Sequence, residues 1–332
     1  MASRSAKQGK NKPARSLANM PVPLFASVMG VGALSSAWRW AAHLWDVSVG
    51  IANALLVIAA VMWVLIMVAY GIKIAFYSDA VKKELANPMR LPFFAAVTIS
   101  ALVLAAASSP VVPQAANVIW WFGAVGQLII MLYVVSQWSK RSEIEMKHVT
   151  PVWLLPIVGN VIAAMAVPRV GNVELAWLSF GVGLLFWLGI LPILLYRLLL
   201  ATEPFPKIML PSYAIMLAPP AVVYISWFQL TGDATGPVSY ILYGTLWAFA
   251  ILLVMEHKRL RQVPFALTYL AYTFPLAALA VVSLIMAVES GVFAYEIMAA
   301  IALLVATVVV VFVVTRIVML AAKGKFFEPE SH

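Results

Sequence analysis

Around Glu143, Glu145, Lys147 and His148, two carboxylates, an amine and an imidazole crowd into one short stretch, the raw material of a metal site or an acid–base pair. Their spacing matches no zinc or catalytic pattern, and a solvated polar loop between two apolar segments accounts for them. The other histidines, His43, His257 and His332, stand singly in loops or at the end of the chain. The sequence contains no HExxH, no glycine-rich phosphate loop and no GxSxG, so it offers no enzyme chemistry, no metal site and no cofactor motif. Arg39, in AWRWAAHLWD with Asp46 nearby, is flanked by Trp38, Trp40 and Trp45 and reads as an interfacial anchor rather than a substrate ligand. The chain has no cysteine, which excludes disulfides and thiolate metal sites.

The elements that carry these residues are membrane spans. Of the 332 residues 64% are hydrophobic and 11% charged, and the mean hydropathy is +0.97, against roughly 45–50% apolar residues in soluble domains. Residues 1–19 are polar and basic with no apolar core, and read as a disordered tail rather than a signal peptide. Ten uncharged segments follow, near 20–38, 47–72, 91–109, 114–138, 149–167, 175–196, 208–231, 238–255, 262–288 and 297–315, leaving a ten-helix domain over 20–322 and a short tail over 323–332. Sorted onto alternate sides, all but two of the 22 basic residues fall on the side of the N-terminus, Arg39 and Arg169 being opposite. The positive-inside rule then puts both termini in the cytoplasm of a multi-pass protein of the cell's inner membrane. The net charge of +9 is mostly topological, with some attraction to membrane lipids and no need of nucleic acid as a partner.

The ninth segment organises the rest. It has no charge from Gln262 to Val288, yet Pro275 stands near its middle after the bulky ring of Phe274. A proline there removes one backbone hydrogen bond, and bent backbone at membrane depth is tolerated only against protein or a wet cavity. The segment therefore reads as a pore wall with Phe274 pointing at the axis, or else as a helix whose ring is ordinary packing. Prolines fall on the odd spans: Pro21 and Pro23, Pro92, Pro151 and Pro156, Pro211, Pro219 and Pro220, Pro264 and Pro275, with only Pro192 inside an even one. A broken helix followed by a continuous one recurs five times, which predicts an all-α fold of five helical hairpins. Odd helices kinked at Pro23, Pro156, Pro219 and Pro275 would form an inner ring around a central pore, and even helices an outer ring.

No ionisable residue lies in the middle of any span, which argues against a coupled pump. The weakly polar residues left for the wall are Ser27 and Gly30, Thr98 and Ser100, Gly159 and Asn160, Tyr213 and Ser226, and Thr273. Asn160 reads equally as pore lining or as an interhelical hydrogen bond.

Four stretches in order, NMPVPLFASVMGVGALSSAWRW, LLPIVGNVIAAM, LAPPAVVYISW and YLAYTFPLAAL, make residues 20–323 similar to the tellurite-resistance and C4-dicarboxylate transporter family, which includes the plant slow-type anion channels. The resemblance implies a homotrimer whose protomers each hold five hairpins around a pore, closed by a phenylalanine on the ninth span that corresponds to Phe274. Many bacterial relatives have glycine after this ring, whereas Pro275 follows the plant-like pattern. Long phosphorylatable tails of the plant channels are absent, so kinase gating is not carried over. Two functions remain: a passive channel for small inorganic or organic anions, or a secondary transporter of C4-dicarboxylates or of oxyanions such as tellurite. An uncharged wall favours the channel, because a transporter's carboxylate site usually holds a cation. Carbonyls freed by proline are partially negative and oppose an anion, so anion selectivity follows from the resemblance and not from the residues.

Overall fold

A computed structural model of the protein describes residues 16–140, 144–203 and 205–327. The expected tails lie largely outside these residues, as do Arg141, Glu143 and His332. Among the described residues ten long helices follow one another: α1 (Phe25–Trp45), α2 (Gly50–Phe76), α3 (Leu91–Ser108), α4 (Pro113–Lys140), α5 (Pro151–Ala166), α6 (Val173–Leu199), α7 (Lys207–Thr231), α8 (Pro237–Met255), α9 (Leu267–Ser290) and α10 (Phe293–Ala322). Short helices Ser78–Ala86 and His257–Leu260 follow α2 and α8, and no strand occurs among the described residues. Eight of the ten are long and apolar enough to cross a membrane by length and composition. α5 is too short for that set, and α1 also falls outside it.

Two rings result. α1 packs on α3 and α9, α3 on α5, α5 on α7 and α7 on α9, so the odd helices close a circle. Each even helix leans on its own odd partner and on the next odd helix around. Burial follows: 78–83% of the apolar window of α3, α7 and α9 is buried, against 17–39% in α2, α4, α6, α8 and α10. Among the described residues no large exposed apolar side chain belongs to α1, α3, α5 or α9, whereas Leu65, Val118, Leu185, Ile241 and Leu304 lie open on the even helices. A helix apolar all round must be covered by protein or by lipid, and here the two cases alternate along the chain.

Prolines shape the inner ring in a way the sequence does not show. The bends expected in mid-helix take the form of a change of helix type. α3, α7 and α9 open as 3-10 helix (Leu91–Phe94, Lys207–Leu217, Leu267–Tyr272), and 3-10 turns Val22–Leu24 and Pro151–Trp153 lead into the α-helical parts of α1 and α5. Pro23 and Pro92 stand inside these turns, while Pro156, Pro219 and Pro275 occupy the second or third position of the α-helical part that follows. In an opening turn, as at Pro23 and Pro92, a proline sacrifices no hydrogen bond because that N–H has no helical acceptor, whereas at Pro156, Pro219 and Pro275 the preceding 3-10 turn offers acceptors and the missing donor interrupts the ladder at the joint. Both ends of the described chain meet at one face of the bundle, where the Ser16 N–H donates to the Phe327 carbonyl at 2.9 Å.

Candidate functional site

At the centre of the inner ring lies a cavity of about 70 Å³ to which all five odd helices contribute. Pro23 comes from the turn ahead of α1 and Ala26 and Met29 from its start, Phe93, Ala96 and Ile99 from α3, and Leu155, Val158 and Gly159 from α5. Met209, Ser212, Ile215 and Ala218 come from α7, and Leu267, Thr268, Leu270, Ala271, Phe274 and Pro275 from α9. Among the described residues no ionisable side chain lines it. On α7 the lining residues recur every third position, the repeat of a 3-10 helix, which stacks side chains in one straight row. The α-helical parts begin at Phe25, Ala95, Leu154, Ala218 and Thr273, so five helix amino-terminal turns surround the cavity. The backbone N–H at each of these joints already donates to a carbonyl of the preceding 3-10 turn, so the joints are not free helix ends and the wall is uncharged.

Phe274, Gly159, Pro23 and Pro275 stand in the cavity wall. Phe274 is 4% exposed and belongs to the main apolar core as well. Ser27, Gly30, Ser100, Asn160 and Thr273 lie on the same inner helices but outside the lining. The Ser27 hydroxyl donates to the Leu24 carbonyl at 2.6 Å and that of Ser100 to Val97 at 2.7 Å. Gly30 packs directly on Thr273, where a Cβ would collide with its side chain, and brings α1 against α9. The Thr273 hydroxyl donates to Leu270 at 2.7 Å, on the last turn of 3-10 helix. Asn160 Nδ2 reaches the carbonyls of Pro156 and Ile157 at 3.1 and 3.3 Å, a bond within its own helix. Thr98 and Ser226 are likewise turned between helices, Thr98 donating to Gln127 and Ser226 to the Val161 carbonyl. Pro156 and Pro219 are buried at their helix joints, outside the lining. Tyr213 borders a different hollow, between α6, α7 and α8.

Several buried polar groups escaped the sequence reading. Gln127, on the outer helix α4, accepts from Thr98 at 2.5 Å and donates to the Pro156 carbonyl at 2.8 Å, passing where Gly159 has no side chain. An amide at the middle of an apolar even span was its only signal. Lys73, counted among loop cations, is instead fully buried: its Nζ meets Glu84 at 2.8 Å and the Met20 carbonyl at 2.7 Å, and Tyr70 donates to the same carboxylate at 2.9 Å. The helix Ser78–Ala86 folds back to bring Glu84 to it, which spacing along the chain does not reveal. Arg39 holds Asn53 at 2.8 Å rather than Asp46. Glu145 and Lys147 form an exposed pair at 2.7 Å, and that hydrogen bond keeps the Glu145 carboxyl below its ordinary pKa. Among the described residues no group of three His, Cys, Asp or Glu could hold a metal ion.

Comparison with known proteins extends this geometry. Residues 19–318 match the profile of a family described as voltage-dependent anion channel. The tellurite resistance protein TehA homolog of Haemophilus influenzae is 27% identical over 68% of this chain and 68% of its own. The S-type anion channel SLAH3 of Arabidopsis thaliana is 27% identical over 81% of this chain but only 43% of its own, so the chain spans less than half of that plant channel. An uncharacterized transporter of Methanocaldococcus jannaschii is 25% identical over 76% of this chain and 80% of its own.

Proposed function

The chain belongs to the voltage-dependent anion channel family, and from that premise we propose that it is a gated, passive channel whose anion pathway runs through the central cavity, with Phe274 as the plug. One observation carries the proposal: a single cavity takes wall from each of the five inner helices and has Phe274 in that wall. Lacking an ionisable ligand, such a wall gives no tight binding and no proton relay, which suits fast permeation ordered by the cost of dehydrating each anion. The ring closes the path by volume and by excluding water, so opening needs a ring rotation or a small backbone shift. As the resemblance implies, we take the assembly to be a homotrimer with one pathway per protomer. The basic residues support an inner-membrane location with both termini cytoplasmic.

Reconstitution in liposomes tests this reading. Chloride or nitrate flux should follow the anion gradient alone and rise steeply for Phe274→Ala, less for Phe274→Leu. Flux that requires a proton or sodium gradient, or that saturates at micromolar dicarboxylate, would overturn it in favour of a secondary transporter.

A further inference from the structure

Away from the central cavity, a hollow of about 240 Å³ opens between the ends of α6, α7 and α8. Its walls are apolar, with Leu195, Leu199, Phe249 and Leu252 among them, and Leu199 and Leu252 are 76% and 54% exposed on the outer surface. Its rim carries Arg259 and Glu256, with Arg197 behind it. The Arg259 guanidinium lies 5.8 Å over the ring of Tyr213, and Phe205 packs on that ring at 5.0 Å. Arg197 stacks on Phe205 from its own side at 5.6 Å. Arg197 is only 3% exposed; its Nη1 donates to the Glu203 carbonyl at 2.8 Å, while its buried Nε and Nη2 have no partner. Glu256, the carboxylate at this rim, stays 3.7 Å from Arg259 with both side chains about half exposed, which leaves donors for a second acceptor.

We propose that this groove seats one anionic phospholipid, its phosphate on Arg259 beside Tyr213 and an acyl chain along the leucine wall. The half-exposed Arg259 guanidinium, only loosely held by Glu256, favours a net negative headgroup over a zwitterionic one, and Arg197, outside the groove wall, adds its field through the ring pair from a low-dielectric position. Apolar walls that open onto the lipid-facing surface favour a lipid over a soluble anion. The seat also backs onto the central cavity. The 3-10 part of α7 turns Ser212 and Ile215 to the cavity, and Tyr213 and Met216 to the groove. With three residues per turn the two rows stay on separate sides of one thin wall.

Native mass spectrometry of the detergent-solubilised protein, titrated with phosphatidylglycerol and with phosphatidylcholine of the same chains, tests the site without reference to anion flux. Phosphatidylglycerol should bind more tightly, and Arg259→Gln, at an exposed position, should remove about fivefold of that preference. Leu252→Trp, which fills the groove from its lipid-facing side, should remove binding of phosphatidylglycerol at this site while leaving the fold intact. Equal binding of the two lipids to the unaltered protein, or an unchanged preference in Arg259→Gln, would overturn the proposal. Displacement of phosphatidylglycerol by micromolar glycerol 3-phosphate would also overturn it, because the groove would then be a soluble-phosphate site.

Discussion

Phe274 is buried, yet it borders empty space, and these two facts make opposite demands on a substitution. A ring packed on all sides costs about 3–5 kcal/mol when cut to alanine, whereas a ring facing a cavity leaves fewer contacts to lose. Phe274→Ala is therefore expected to melt close to the unaltered protein while anion flux rises, both read on the same detergent preparation. A strong loss of stability with unchanged flux would return the ring to the core. Gly30 behaves in the opposite way. Its missing side chain is filled by Thr273 of α9, so Gly30→Ala should wedge the two helices apart and cost about 1–3 kcal/mol in thermal unfolding.

Among elements, the joints between 3-10 and α-helix matter more than the helices themselves. They put the row Met209, Ser212, Ile215 of α7 and the pair Thr268, Ala271 of α9 on the cavity, while Ser27, Ser100 and Asn160 turn toward helix carbonyls. Because the chain lacks cysteine, cysteines placed at Ala26, Ser212 or Ala271 in a Phe274→Ala background should react with small water-soluble thiol reagents. Cysteines at Ser100 or Asn160 should react far more slowly, and equal rates would contradict this assignment of the wall. The buried pair Lys73–Glu84 ties the end of α2 and the helix after it to Met20, just ahead of α1. Lys73→Met alone strands a buried carboxylate and should cost about 3–5 kcal/mol. Adding Glu84→Leu should restore most of that stability in a double-mutant cycle.

For the whole molecule, the even helices present an apolar exterior and the odd helices a cavity with no charged side chain, so the charge of the protein is confined to its ends. A protein of this form has no mid-membrane group to bind or release a proton. Anion flux through reconstituted protein should therefore be indifferent to an imposed pH gradient between pH 6 and 8, when the anion gradient is held constant. A flux that tracks the proton gradient would require a titrating group along the path.

Composition and the placement of proline and lysine were enough to determine an all-helical membrane protein of alternating broken and continuous helices, because lipid forces every backbone group to be satisfied within a helix or against protein. The same reasoning picked out Phe274 and Pro275, since a ring beside a proline at mid-span has few uses in a helix that simply crosses lipid. Which way a serine, threonine or asparagine turns on an inner helix was decided only by the tertiary structure. That orientation depends on whether a helix runs at three or 3.6 residues per turn, and proline content alone does not set where one gives way to the other. Gln127 and the Lys73–Glu84 pair were hidden for a related reason: their partners come from other helices, and a sequence lists neighbours along the chain rather than across a ring.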